Sequence, residues 1–116
     1  MDNMESYKVR INNILVFQKK YQDPEFSAKL LAEELGISVF KLSRILKTEF
    51  GKAYTDIVHA HRIQDAKRYL MDHRFVDYTV DDIGTLVGFN NRQSFFLAFK
   101  KVAGTTPERF RHHNKA

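Results

Sequence analysis

At 116 residues, 43% hydrophobic and 28% charged, the chain has the size and mix of one ordinary soluble globular domain, not of a disordered or fibrous polymer. No apolar run approaches the roughly 18–20 residues that span a bilayer, no signal-peptide core is present, and the absence of cysteine removes any disulfide framework or thiolate metal site, so the cytoplasm is the expected compartment. A net charge of +5 suits an anionic partner, and 5 Gly with 2 Pro are too few for the turns of an all-β fold.

Residues 1–6 match no helix and read as a disordered or appended end. A first helix is expected over 7–21, where Ile11, Ile14, Leu15 and Tyr21 recur at helical spacing until Asp23-Pro24 stops the run. Ser27 is placed to cap a helix over 28–35 with Leu30, Leu31 and Leu35 inward, and Gly36 to end it. Ser38 caps the next, Val39 to Phe50, with Leu42, Ile45 and Leu46 inward and Gly51 at its end. A long helix over Tyr54 to Met71 carries Ile57, Val58, Ile63, Ala66, Tyr69 and Leu70 at threes and fours. Its length is about 27 Å at about 1.5 Å per residue. Thr79-Val80-Asp81-Asp82 reads as a cap with acids in the first turn, and helices follow at 80–87, 91–102 and 107–112. Thr105 and Glu108 stand at capping-box spacing, and Pro107 fits a first turn. Nothing reads as a strand pair.

The positive charge is uneven. Residues 38–51 carry a net +2 and residues 88–116 a net +5, while 1–37 and 52–87 are each at −1. Those two cationic segments coincide with an internal repeat. A shift of 52 carries Ser27, Leu31, Ala32, Leu35, Gly36 and Ile37 onto Thr79, Ile83, Gly84, Val87, Gly88 and Phe89. A shift of 53 carries Leu42, Leu46, Lys47 and Gly51 onto Phe95, Phe99, Lys100 and Gly104, one residue having been added at Asn90-Asn91. Each copy follows the order of a helix-turn-helix. A small residue (Ala32, Gly84) lets two helices cross closely, a glycine (Gly36, Gly88) ends the first helix, and Ile37 or Phe89 plugs the corner. The outer face of the second helix is then free for a partner.

With these residues in place, the chain resembles the DNA-binding domain of the AraC/XylS family of transcription regulators. The resemblance rests on 31–36 with Leu42-Ser43-Arg44-Ile45-Leu46-Lys47, on Arg62-Ile63 with Ala66 and Leu70, on Gly88-Phe89-Asn90, and on Phe95, Phe99-Lys100-Lys101 and 104–111. It covers about residues 7–112. It implies an all-α fold of seven helices: a helix-turn-helix subdomain at 7–52, a linking helix at 53–72 and a second subdomain at 73–116. It further implies two recognition helices in successive major grooves of promoter DNA, a role with RNA polymerase and as an activator, no cofactor, and a sensor domain outside this sequence.

Carried over position by position, the resemblance makes Val39, Phe40, Ser43, Arg44, Asn91, Arg92, Gln93 and Phe96 the base-contacting set. Ser38, Lys47, Asn90, Lys100, Lys101 and Arg111 become the phosphate-contacting set. Arg44 suits the O6/N7 edge of guanine, and Phe40 thymine methyls or sugars. Leu97 and Phe96 stand where many relatives carry basic and small polar residues, which moves base readout toward the first unit.

Each residue has a plainer reading beside this one. Arg44 is also placed to pair with Glu49, Phe40 to enter the core, Phe96 to pack on the last helix, and Arg109 and Arg111 to help that helix pack. Arg62 reads as a structural tie. His59 and His61, two apart on a helix, diverge, whereas helical zinc pairs use i, i+4 spacing. No nucleophile–base pair, glycine-rich phosphate loop or metal set supports an enzyme. The alternatives to a regulator's DNA-binding part are a small stand-alone regulator and a helical module that docks an acidic protein.

Overall fold

The computed structural model describes residues 3–114. Among these residues there is no strand, and seven α-helices follow in order: α1 Met4–Asn12, α2 Ala28–Leu35, α3 Val39–Phe50, α4 Tyr54–Met71, α5 Val80–Leu86, α6 Arg92–Ala103 and α7 Pro107–His113. The chain forms two compact units that divide at Val58/His59, inside α4. Helix α4 gives Ile57 and Val58 to the first core and Ile63, Ala66 and Leu70 to the second.

In the first unit, α1 begins earlier and ends sooner than its periodicity suggests. Asn3 caps it, its Oδ1 accepting from the Glu5 N–H at 2.8 Å, so residues 4–6 are helical; residues 1 and 2 lie outside the described residues. The helix then widens into a π turn, Asn13–Phe17, closed by the Gln18 N–H donating to Asn13 O at 2.9 Å. Lys19 stops it at φ 56°, left-handed without being glycine, and a 3₁₀ turn, Lys20–Gln22, follows. The expected apolar positions survive this break: Ile11, Ile14, Leu15 and Tyr21 are all buried.

Helices α2 and α3 have the expected bounds because their caps are local. The Ser27 hydroxyl accepts from Leu30 N–H at 3.2 Å, and the Ser38 hydroxyl from Lys41 N–H at 3.0 Å. Leu31, Ala32 and Leu35 face the core, as do Leu42, Ile45 and Leu46 of α3. Leu30 was expected inward and is exposed instead: with its neighbour Leu31 fully buried, the 100° step of the helix turns it away.

The second unit repeats the corner bond for bond. Gly36 donates to Glu33 O at 3.1 Å and Ile37 to Ala32 O at 3.0 Å; Gly88 donates to Thr85 O at 3.1 Å and Phe89 to Gly84 O at 3.0 Å. Gly36 sits at φ 70° and Gly88 at φ 115°, the left-handed region that a Cβ resists. Thr79 and Asp82 form a reciprocal capping box on α5, with bonds of 3.0 and 2.9 Å. Two caps lie one residue beyond their expected places. Asn91, not part of the helix itself, caps α6 by accepting from Ser94 N–H at 2.8 Å. Thr106, not Thr105, caps α7 by accepting from Arg109 N–H at 3.2 Å, which leaves Pro107 as the first helical residue. Phe95, Phe99 and Ile83 fill the core beneath.

Candidate nucleic-acid interface

The outward face of α3 follows from its inward stripe. With Leu42, Ile45 and Leu46 buried, the 3.6-residue period turns Val39, Phe40, Ser43, Arg44 and Lys47 to solvent, and all five are exposed. Phe40 is 76% exposed and therefore belongs to no core. Arg44 makes no ion pair among the described residues, Glu49 included. Ser38 spends its oxygen on the helix cap and keeps its hydroxyl proton for an acceptor. This face offers a guanidinium, an ammonium, hydroxyls and an aromatic ring, which is a set able to meet base edges and phosphates.

The face of α6 differs in kind. Aligning the caps Ser38 and Asn91 puts Val39 on Arg92, Phe40 on Gln93, Ser43 on Phe96, Arg44 on Leu97 and Lys47 on Lys100. The guanidinium thus stands mid-helix on α3 and at the first residue on α6, with apolar side chains at the opposite positions. Asn90, Asn91, Arg92, Gln93, Leu97, Lys100 and Lys101 are exposed. Asn91 has its Oδ1 committed to the cap and retains the amide NH₂. Phe96 is half-buried, edge-on to Phe95 at 5.9 Å, so it closes the core as well as facing outward.

Arg92 is not free. Its Nε donates to Asp81 Oδ1 at 3.0 Å, NH2 stands 3.8 Å from Glu108 Oε2, and the guanidinium lies over the Phe96 ring at 4.5 Å. The sequence reading missed both carboxylates, which lie 11 and 16 residues away along the chain in the first turns of α5 and α7. No spacing rule joins them to Arg92.

Arg111 is hydrogen-bonded within the second unit. Its NH1 donates to Tyr78 O at 2.7 Å and its NH2 to Phe75 O at 2.9 Å, tying α7 to the turn before α5. Arg62 is a structural tie, buried with its guanidinium 5.3 Å from the centre of the Phe89 ring. His59 packs on the same ring at 5.2 Å. Among the described residues no group of three or more His, Asp or Glu could hold a metal ion, and no helix is long and apolar enough to cross a membrane. In the 3₁₀ turn His73–Phe75, hydrogen bonds from the Arg74 side chain and backbone hold the Asp72 carboxyl down to about 2, from an ordinary 3.8.

Two helix-turn-helix corners, each with a solvent-facing second helix, define a DNA-binding regulatory fold. Residues 31–113 match the family described as "Helix-turn-helix domain", and the chain belongs to that family. The C-terminal domain of the two-component response regulator yesN from Fusobacterium nucleatum superposes with a TM-score of 0.78 at 31% identity, over 91% of this chain and 98% of that one. The "Bifunctional transcriptional activator/DNA repair enzyme AdaA" of Bacillus subtilis is 32% identical over 100 residues, covering 83% of this chain and 46% of AdaA. The "Xylose operon regulatory protein" of Escherichia coli K12 is 28% identical over 82 residues, 71% of this chain and 20% of that protein. The chain is related, at low identity, to helix-turn-helix transcription regulators, and it spans less than half the length of these two curated relatives.

Proposed function

We propose that the chain binds a specific double-stranded promoter sequence, with α3 and α6 as recognition helices in successive major grooves. It does so as the DNA-binding part of a larger, effector-responsive cytoplasmic regulator that activates transcription with RNA polymerase. The observation that carries this reading is the α3 face: Arg44, exposed and with no ion pair among the described residues, stands between exposed Phe40 and Lys47. A guanidinium free to present two parallel donors is the commonest reader of guanine in the major groove. The larger-regulator reading is supported by the likeness to a response regulator's C-terminal domain, and the activating role by the likeness to a transcriptional activator.

Selection of binding sequences from random duplexes tests the reading. The chain is expected to enrich one sequence, and Arg44→Ala to cost about 1–3 kcal/mol while relaxing one base position. Lys47→Ala is expected to weaken all duplexes alike and to lower the salt slope by about 1. Binding with no sequence preference and no salt dependence would overturn the proposal.

A further inference from the structure

Arg92 and Arg44 offer the same chemical group in opposite settings. Arg44 makes no ion pair among the described residues, whereas Arg92 lies on an aromatic shelf between Asp81 and Glu108. Exposed ion pairs of this kind contribute little to folding, at most about 1 kcal/mol. Their larger effect falls on what the guanidinium can bind.

Nε is occupied by Asp81, while NH2 stands beyond hydrogen-bonding distance of Glu108. The terminal NH1/NH2 edge therefore remains available, and it is the end-on pair of donors that fits guanine O6 and N7. A phosphate approaching that edge brings negative charge toward two carboxylates already within 4 Å of the guanidinium. A base edge brings only neutral acceptors, so the carboxylates oppose the phosphate much more than the base.

We propose that Asp81 and Glu108 are positioning residues for Arg92: they hold its guanidinium on Phe96 and reserve it for a base edge over a phosphate, giving α6 its sequence discrimination. This rests on the DNA-binding reading above. It assigns specificity to two acidic residues that touch no base, located in the first turns of α5 and α7.

The test uses the 116-residue chain, its selected duplex and a scrambled duplex of the same composition. Asp81→Asn, Glu108→Gln and the double variant are each compared with the parent across a salt series. Both changes are nearly isosteric, and the Thr79–Asp82 capping box stays intact. The double variant is expected to bind the scrambled duplex more tightly, with a salt slope steeper by up to about 0.9, the value of one added phosphate contact. Its preference for the selected duplex is expected to fall by about 5–10-fold, the lower part of the range of one misread base pair. Placed on Arg92→Ala, the same two changes should raise both affinities equally and leave the preference alone. Glu108→Gln by itself, with α5 untouched, is expected to move the preference in the same direction. An unchanged preference in a double variant that melts like the parent would overturn the inference and leave the DNA-binding reading standing. So would a loss of preference that persists without Arg92. A parent chain that shows no preference at all would overturn both.

Discussion

The Phe95 ring lies so close beneath Gly84 that a Cβ on the glycine would stand 2.6 Å from Cδ2 and 2.8 Å from Cγ. In the first corner the same two places hold Ala32 and Leu42, both buried. The second corner exchanges a methyl on one helix for an aromatic ring on the other, so the small residue in each pair is matched to the size of its partner.

Gly84→Ala is therefore expected to destabilise the protein. Alanine favours a helix interior by about 1 kcal/mol over glycine. Overpacking against a ring that is 1% exposed costs about 1–3 kcal/mol and outweighs it. Denaturant titration should show a lower midpoint, and adding Phe95→Leu should recover part of the loss. A stabilised Gly84→Ala variant would contradict this packing.

Phe40→Ala separates surface from core. Because the ring is 76% exposed, unfolding free energy should stay within about 0.5 kcal/mol of the parent. Affinity for the selected duplex should nevertheless fall, and the loss should track thymine content in that half of the site. A large drop in melting temperature would instead show that the ring is packed in solution.

Arg111→Ala is expected to cost about 1–3 kcal/mol of stability, since two bonds from a charged donor to the Tyr78 and Phe75 carbonyls disappear. The salt slope of DNA binding should not change. A slope shallower by about 1 with unaltered stability would put this guanidinium back at the phosphates.

Asp72 should titrate near pH 2 in the folded chain, because the Arg74 side chain and backbone donate hydrogen bonds to its carboxylate. Its folded value lies below the ordinary 3.8, so the stability it contributes is complete above that pH and is lost as pH falls toward about 2. Carboxyl carbon NMR should place the midpoint there. Arg74→Ala should return it toward the ordinary value, and near neutral pH the pair should give no pH dependence.

What could be read from the chain was whatever a few neighbouring residues decide. Ser27 with Gly36, and Ser38 with Gly51, mark α2 and α3 at both ends because each cap bonds within four residues. The end of α1 had no such marker: a π turn and a left-handed lysine close it, and no residue type there announces them. The caps at Asn91 and Thr106 were one residue off because Asn90-Asn91 and Thr105-Thr106 each offer two candidates, and only the built corner chooses. On α3 the outward positions that the resemblance implied followed the helical phase set by Leu42, Ile45 and Leu46. The settings of Arg92 and Arg111 did not, since their partners come from other turns of the fold.

The cap-to-cap register of α3 and α6 carries a last consequence. Corners closed by the same backbone bonds display unlike faces, one with its cation in mid-helix beside an aromatic ring, the other with its cation at the tip and leucine behind it. Under the proposed function, the cognate duplex is a sentence with a beginning and an end, not a palindrome. Inverting it within a promoter would turn the bound protein to face the other way along the genome, so the orientation of the site would carry information as well as its letters.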